Sequence, residues 1–228
     1  MKLTWHGHSC FTLLADDGAR LMFDPFLDEN PVADVRRSDV ETLDYILVSH
    51  GHYDHFADAV PLAIQTGAEV IGVYEITSFA KDQGVRRTHG MNIGGGYRFP
   101  FGYVKMTPAA HSSSVHGDTT GVHNTVAGGF WIEFESGKTL YHAGDTALIM
   151  EMQLLKGHVD TALLPIGDNF TMGPDDALRA VEFLAPRVVV PMHYDTWPLI
   201  HQDAKAFAAR VGDLAEVRIL RPGESTEL

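Results

Sequence analysis

Short apolar runs separated by polar, glycine-containing turns recur along this chain. Residues 9–25 read SCFTLLADDGARLMFDP, in which two apolar runs flank a turn at Asp16-Asp17-Gly18 and Asp24 closes the second run. Residues 129–146 read GFWIEFESGKTLYHAGDT, with the same order of runs and turn and with Asp145 in the closing position. Strand-forming runs joined by a turn that contains glycine predict two β-hairpins.

The elements that follow each hairpin also come in the same order. Each half continues with a buried strand, a helix and a further apolar strand: 43–48, about 58–66 and 69–73 in the first, 159–164, about 174–184 and 187–191 in the second. No Ser/Gly-rich linker separates the halves. We therefore predict a single α/β domain spanning residues 1–228, in which two pseudo-symmetric halves each supply a sheet with helices on its outer face.

Composition and charge narrow the range of partners. Hydrophobic residues make up 45% of the chain, which is typical of a globular protein, and 17 Lys and Arg against 30 Asp and Glu give a formal charge of −13. Such an acidic chain is expected neither to bind nucleic acid nor to adhere to an anionic membrane. The single Cys10 excludes an intrachain disulfide, and with no apolar run of signal-peptide length we expect a cytoplasmic protein.

Histidine is the residue type that departs most from an ordinary composition, with 13 in the chain. The segment Ser49–His55 reads SHGHYDH and directly follows the first buried strand, where α/β folds place functional groups. Imidazole and carboxylate are the natural ligands of zinc and similar ions. His50 and His52, two residues apart, can point to one side of an extended loop. Asp54 and His55, at the start of the next helix, can turn towards a second ion.

Three further candidate ligands also follow apolar strands. His111 comes after a strand predicted near 103–106, Asp145 closes the second hairpin, and His193 follows the apolar run at 187–191. Taken alone, each residue would be read as a helix cap or a solvated side chain. Their common position at strand ends predicts instead that they converge with the histidine-rich loop on one rim of the sheets.

Seven short motifs, spread over nearly the whole chain, resemble those of a known family: Trp5–Ser9, Val48–His52, Met91–Gly95, Thr107–Ser113, Ala143–Thr146, Phe170–Pro174 and Pro191–Tyr194. On these motifs the chain resembles metallo-β-lactamase-fold hydrolases, which are αββα sandwiches with two metals along one edge. It more closely resembles the UPF0173 group of metal-dependent hydrolases, which is related to the ascorbate-6-phosphate lactonase.

The resemblance assigns a role to each candidate ligand. One metal site would use His50, His52 and His111, the other would use Asp54, His55 and His193, and Asp145 would bridge the two ions. Asp54 and Asp145 are then the carboxylates of the catalytic centre, and Asp24 supports the histidine-rich loop without binding metal. One departure is Asp168, where the family pattern has a glycine, and it affects the expected shape of the local loop but not the metal ligands.

These ligands imply hydrolytic chemistry. Two divalent ions roughly 3.5–4 Å apart can share a hydroxide and polarise a carbonyl or phosphoryl oxygen, so no protein nucleophile is needed. Zinc suits the ligands best, and manganese or iron would also be accepted. The expected substrate is a small phosphorylated or lactone metabolite. Phosphodiesterase or nuclease activity and a non-catalytic metal-binding role are the alternatives, and the resemblance also implies a possible homo-oligomer.

Weaker patterns suggest candidates for substrate contacts. His8 lies just before the first hairpin, and the family's Gly-His-Ser opening implies that it could face the site. Ser112 and Tyr194 directly follow the predicted ligands His111 and His193, and Trp197 could wall the same pocket. Gly94-Gly95-Gly96 lacks the strand and helix context of a nucleotide-binding loop and is predicted to form a tight turn.

Overall fold

A computed structural model describes every residue of the protein, 1–228, as two sheets of seven strands with helices. The strands in chain order are β1 (Lys2–Trp5), β2 (Phe11–Leu14), β3 (Arg20–Phe23), β4 (Tyr45–Val48), β5 (Glu69–Val73), β6 (Thr88–Met91), β7 (Gly96–Phe99), β8 (Gly102–Pro108), β9 (Gly128–Phe134), β10 (Thr139–His142), β11 (Thr161–Pro165), β12 (Val188–Met192), β13 (Glu216–Val217) and β14 (Ser225–Glu227). The α-helices are α1 (Tyr53–Phe56), α2 (Ala59–Thr66), α3 (Tyr74–Asp82), α4 (Pro174–Leu184) and α5 (Ala204–Val211).

The two sheets have the same pairing pattern. The first is ordered β14-β1-β2-β3-β4-β5-β6, and the second is β7-β8-β9-β10-β11-β12-β13. In each, the first four strands pair antiparallel and the last four pair parallel. The predicted hairpins, β2-β3 and β9-β10, occupy equivalent places. The pseudo-symmetry read from the sequence is therefore confirmed in the topology.

Parallel neighbours are joined by helical crossovers, as the apolar strands predicted. Helix α2 joins β4 to β5 and contacts both strands, while α4 joins β11 to β12. Helix α4 begins with Pro174, a residue suited to the first helical position, followed by Asp175 and Asp176 in the first turn. Strands β4, β11 and β12 are buried along their whole length, which explains why their sequences are continuously apolar.

The core lies between the sheets. Its buried apolar residues form one continuous cluster that draws on both halves. The rings of Tyr45 and Phe101 pack at 4.6 Å across the interface, and Phe23 stacks on His142 at 5.2 Å. The predicted αββα sandwich is confirmed. None of the helices is both long enough and apolar enough to cross a membrane.

Smaller predictions differ from the structure in detail. Cys10 is fully buried but lies in the turn before β2 rather than within a strand. Gly94 and Gly95 form a tight turn, with Gly94 at φ +84°, while Gly96 already belongs to β7. The sequence reading did not identify α3, α5 or the edge strands β13 and β14.

Candidate metal centre

The carboxyl ends of strands from both sheets meet at one edge of the sandwich, and the seven predicted ligands lie there together. Their donor atoms, together with those of His8, form three overlapping groups. Within each group the donor atoms all lie within 4.8 Å of one another: His50, His52 and His111; His8, Asp54, His55 and His193; and His50, His55 and Asp145. The structure therefore brings together every ligand position that the sequence motifs indicate.

The first group is a cluster of three imidazoles. Nε2 of His50 lies 3.0 Å from Nδ1 of His52, and Nε2 of His111 lies 3.3 Å from the same atom. Ligand nitrogens at zinc distances of ~2.0–2.1 Å in a tetrahedron are separated by about 3.3 Å. The spacing of these ring nitrogens is thus that of ligands on a common ion.

The second group contains two histidines and a carboxylate. Oδ2 of Asp54 lies 3.7 Å from Nε2 of His55 and 3.8 Å from Nε2 of His193. His8, predicted as a substrate contact, contacts this group through Asp54. Its Nε2–H donates to Oδ2 of Asp54 over 2.9 Å, and its Nδ1 accepts from Oγ1 of Thr196 over 2.8 Å. His8 is fully buried, so it holds Asp54 rather than facing solvent.

Asp145 lies between the two groups. Its Oδ1 is 3.3 Å from Nε2 of His55, and its Oδ2 is 3.0 Å from Nε2 of His193 and 3.6 Å from Nε2 of His111. Oδ2 therefore lies close to a donor of each group, His111 in the first and His193 in the second, while Oδ1 faces His55 of the second. This is the arrangement expected of a residue that bridges two ions.

Asp24 occupies the equivalent position in the first half but turns away from the cluster. It accepts the backbone N–H and the hydroxyl of Ser49 over 2.7 and 2.6 Å and Nδ1–H of His55 over 2.9 Å. Because the Ser49 hydroxyl donates to Asp24, it accepts from Nδ1 of His50 at 3.1 Å. Asp24 thus directs the Nε2 atoms of both histidines into the site without contributing an oxygen to it.

The electrostatics of the cluster favour added positive charge. Burial lowers the pKa of His55, but the carboxylates of Asp145, Asp54 and Asp24 outweigh it and hold that pKa well above its usual range. Burial lowers the pKa of His50 well below its usual range, so this imidazole is a neutral donor. Three buried or half-buried carboxylates among mostly neutral imidazoles need compensating cations.

Buried polar atoms without hydrogen bonds support the same conclusion. Nε2 of His55, both ring nitrogens of His193 and Oδ1 of Asp145 are buried and make no hydrogen bond. An unpaired buried donor or acceptor costs about 1–3 kcal/mol, so several at one point require a ligand to satisfy them. Nitrogen and carboxylate oxygen are what zinc, manganese and iron accept, and the residues present therefore fit divalent metal.

The backbone between two of the ligands is held by a neighbouring loop. Gly51 N–H donates to the Ser113 hydroxyl over 3.2 Å, and the Gly51 carbonyl accepts from His116 N–H over 2.7 Å. A Cβ at Gly51 would lie 2.5 Å from the Ser114 carbonyl oxygen and 2.8 Å from Cα of Val115. Only glycine allows this approach, which ties the His50–His52 loop to the segment that follows His111.

A cavity of about 560 Å³ opens above the cluster. Its lining combines five predicted ligands with Ser112 and a set of larger side chains: His52, Asp54, His111, Asp145 and His193; Ser112; and Tyr53, Phe170, Trp197 and Leu199. Ser112 and Trp197 therefore lie where the sequence suggested. Tyr194 does not: its ring stacks on Trp5 at 5.5 Å, away from the cavity, so the predicted substrate contact is not supported.

Asp168 adopts the backbone conformation that a glycine would favour. Its φ is +62°, in the left-handed region that aspartate tolerates better than most residues. Its N–H donates to the Met172 carbonyl over 3.1 Å, closing the loop that carries Phe170. Aspartate in place of the family's glycine at position 168 is therefore compatible with the hydrogen bond that closes this loop.

Several contributors could not be read from the sequence. Thr196 lies in an irregular loop and Leu199 in the short 3-10 helix Pro198–Ile200, and no spacing rule links them to the ligand motifs. Phe170 opens the motif Phe170–Pro174, but nothing in that motif indicates that its side chain lines the cavity. Ser49 is different, because its place between a buried strand and His50 offered a signal that the sequence reading passed over.

Comparison with known proteins defines the class. Residues 19–194 match the family model described as a beta-lactamase superfamily domain. A UPF0173 metal-dependent hydrolase of Enterococcus faecalis is 45% identical over 227 residues, covering 99% of both chains. Another, from Pelotomaculum thermopropionicum, is 47% identical over 234 residues and covers 100% of each. A solved metallo hydrolase from the hyperthermophilic archaeon Ignicoccus hospitalis is 37% identical, with a TM-score of 0.88 over 100% of this chain and 98% of that one.

The chain belongs to the UPF0173 family of metal-dependent hydrolases within the metallo-β-lactamase superfamily. The resemblance carried by the sequence motifs is confirmed, and the protein is a metal-dependent hydrolase with His and Asp residues that can bind metal.

Proposed function

We propose that the protein hydrolyses a small metabolite, phosphorylated or of the lactone class, at a centre that holds two divalent ions. The observation that carries the proposal is the position of Asp145, whose Oδ2 lies 3.6 Å from Nε2 of His111 in the first group and 3.0 Å from Nε2 of His193 in the second. The donors His50, His52 and His111 would hold one ion, and Asp54, His55 and His193 the other. Zinc is the preferred ion for this donor set, with manganese and iron as alternatives.

A pair of divalent ions supplies Lewis-acid polarisation of the scissile group and an activated water at neutral pH. The chain's own residues prepare the place for that chemistry. Asp24 fixes the tautomer of His55 directly and that of His50 through the Ser49 hydroxyl. The hydrogen bond from His8 fixes the orientation of the Asp54 carboxylate. Phe170 and Trp197 wall the cavity and limit access of bulk water to a bound substrate.

A nuclease reading is less well supported. The net charge of −13 opposes binding to a phosphate backbone, and no Lys or Arg lines the cavity. The cavity volume of about 560 Å³ falls in the range typical of small-molecule sites. A non-catalytic metal-binding role does not account for the open cavity above the cluster, which a purely structural metal site does not need.

Metal analysis combined with a substrate panel tests the proposal. Protein loaded with zinc, manganese or iron should hydrolyse at least one of a set of lactones, phosphosugar lactones and 4-nitrophenyl phosphodiesters, and protein stripped with chelator should not. Absence of turnover with every ion, in protein that holds two ions per chain, would contradict the proposed activity.

A further inference from the structure

The wall of the cavity is apolar on the side contributed by the second half of the chain. Phe170 and Leu199 line it with 50% and 62% of their surface exposed, and Trp197 completes the wall. Large apolar side chains held open to water beside a polar cluster gain free energy when a ligand covers them. Because this wall adjoins the donors of Asp145 and His193, a ligand that covers it also reaches the metal-binding floor.

The cavity offers no cationic side chain to bind an anionic group away from the floor. None of its ten lining residues is Lys or Arg. The hydroxyl of Tyr53, which also lines the cavity, donates to the carboxylate of Glu29, so a negative charge rather than a cation accompanies this side chain. A phosphate that is separate from the reacting carbonyl, as in a phosphosugar lactone, would have no cationic side chain to pair with.

Helix N-termini do not fill this gap. Helix α1 begins at the cavity, but it has four residues and its first turn carries Asp54. Helix α4 follows the Phe170 loop, and its first turn carries Asp175 and Asp176. Carboxylates in the first turn already interact with the partial positive charge of a helix N-terminus, and they repel a second anion.

We infer that the substrate is an uncharged carboxyl ester or lactone whose non-reacting part is apolar, packed against Phe170, Trp197 and Leu199. This inference rests on the proposed function and chooses between its two substrate classes, excluding the phosphorylated one. In the reaction, water adds to the acyl carbon and the acyl–oxygen bond breaks. The leaving alkoxide takes a proton from the water, so an acid and an alcohol are formed, or a hydroxy acid from a lactone.

A matched pair of substrates isolates the effect of charge. 4-Nitrophenyl butanoate and 4-nitrophenyl succinate share a leaving group and differ in that the second ends in a carboxylate. The metal-loaded protein should have a kcat/KM at least about tenfold higher for the butanoate, since apolar contact with one or two methylene groups is worth that much. Dihydrocoumarin, a neutral aromatic lactone, should likewise exceed glucono-δ-lactone 6-phosphate. Preference for the anionic member of either pair, or faster hydrolysis of bis(4-nitrophenyl) phosphate, would overturn the inference.

Variants of the exposed wall residues locate the effect. Phe170→Ala with Leu199→Ala should lower kcat/KM for the butanoate by about tenfold, mainly through KM, and leave the succinate almost unchanged. The control is Ile64→Ala with Leu214→Ala, whose side chains are 57% and 52% exposed and lie outside the cavity. Leu199→Arg should raise kcat/KM for the succinate by roughly fivefold, the value of one exposed ion pair. Equal losses for both substrates in the wall variant would contradict the assigned contacts.

Binding separates this inference from the proposed activity. The anilide analogues 4-nitrobutyranilide and 4-nitrosuccinanilic acid resist hydrolysis and can be titrated by calorimetry against metal-loaded protein. The neutral anilide should bind more tightly, and the Phe170→Ala, Leu199→Ala variant should lose that preference. If the variant loses this preference while no ester or lactone is hydrolysed by the unaltered protein, the proposed hydrolysis is wrong but the inferred class of ligand, neutral and apolar, is confirmed. If the anionic anilide binds more tightly, the ligand class is wrong whatever the protein hydrolyses.

Discussion

The carboxylate of Asp24 sets the tautomer of His55. Its Oδ2 accepts from Nδ1 over 2.9 Å, and because a carboxylate can only accept, the proton must sit on Nδ1. Nε2 is then the nitrogen left for an ion, which would replace the second proton that the raised pKa of His55 keeps there, 3.3 Å from Oδ1 of Asp145. Through Ser49 the same carboxylate also orients His50, which belongs to the other group of donors. One residue outside the cluster therefore prepares a ligand in each half of the centre.

Replacing Asp24 should weaken the centre without removing it. In Asp24→Asn the side chain keeps its shape but loses the charge that holds Nδ1–H of His55, and affinity for metal or activity should fall about 10–100-fold. Two ions should still bind at saturating metal. Calorimetric metal titration and hydrolysis rates measure both effects. Asp160→Asn is the control, since Asp160 also accepts a backbone N–H, from Thr139, away from the site. Loss of all metal from folded Asp24→Asn protein would mean that Asp24 is itself a ligand.

Asp145→Ala should be more damaging. The substitution removes the only carboxylate that faces both groups of imidazoles, so repulsion between two dications would go uncompensated. We expect at least one ion and essentially all turnover to be lost, even with metal in excess. Elemental analysis and rates on protein purified beside the unaltered chain provide the measurement. Retention of both ions and near-normal rates would show that Asp145 does not bridge.

Metal should contribute strongly to thermal stability. Seven donor residues exceed the needs of one tetrahedral ion, so two ions should bind per chain. At a free metal concentration ~1,000 times Kd, each ion bound to the native state adds about 4 kcal/mol, so two ions add about 8 kcal/mol. For a chain of this length that corresponds to a rise in Tm of roughly 20 °C over chelator-treated protein. Scanning calorimetry with and without chelator, beside elemental analysis, tests both numbers. A stoichiometry that stays at one ion or below with excess metal is incompatible with a dinuclear centre.

Gly51→Ala should damage the metal centre more than it damages the fold. The added Cβ would meet backbone atoms of Ser114 and Val115, which cannot rotate away, so the loop bearing His50 and His52 must move. Metal affinity should drop at least about tenfold, as for other residues that position ligands. Gly137→Ala is a fitting control, because Gly137 has φ +80° and no atom near its Cβ position. It should cost ~1–2 kcal/mol of strain while metal affinity stays unchanged. Equal metal affinity in the two variants would remove the proposed role of Gly51.

Duplex DNA should not bind at physiological salt. With a formal charge of −13, the chain can neutralise few phosphates, and little counterion release is available to drive association. Gel-shift titrations at two salt concentrations measure this. Sub-micromolar affinity with a steep salt dependence would favour the nuclease alternative over the small-molecule substrate.

The sequence predicted the parts of the fold that repeat local patterns. Strand β5 begins and ends where the apolar run does, and α4 begins at the proline and acidic residues that favour a first turn. The equivalence of the two hairpins could be predicted because both have two apolar runs flanking a turn that contains glycine. Helix α3 was missed because it begins directly after β5, with no capping residue or glycine between them to signal the change.

The metal donors could be located because they follow buried strands, whereas the surroundings depend on tertiary contacts. Tyr194 is adjacent to His193, yet its side chain stacks on Trp5, because the backbone turns at His193, whose φ is +53°. His8 reaches Asp54 across 46 residues of sequence, and Phe170 reaches the cavity from a loop. Contacts of this kind have no periodicity, so a single sequence does not reveal them.

The division of the ligands between two halves has a consequence for the order in which the protein is made. About 140 residues separate His55 from His193. At ~5–20 residues per second, ribosomes need roughly 10–30 s to synthesise that stretch. During this interval the histidine-rich loop stands on the nascent chain without His193, and for about the first 90 residues without Asp145 as well. An ion caught there has fewer ligands and exchanges faster, so the finished fold, rather than the order of capture, selects the metal.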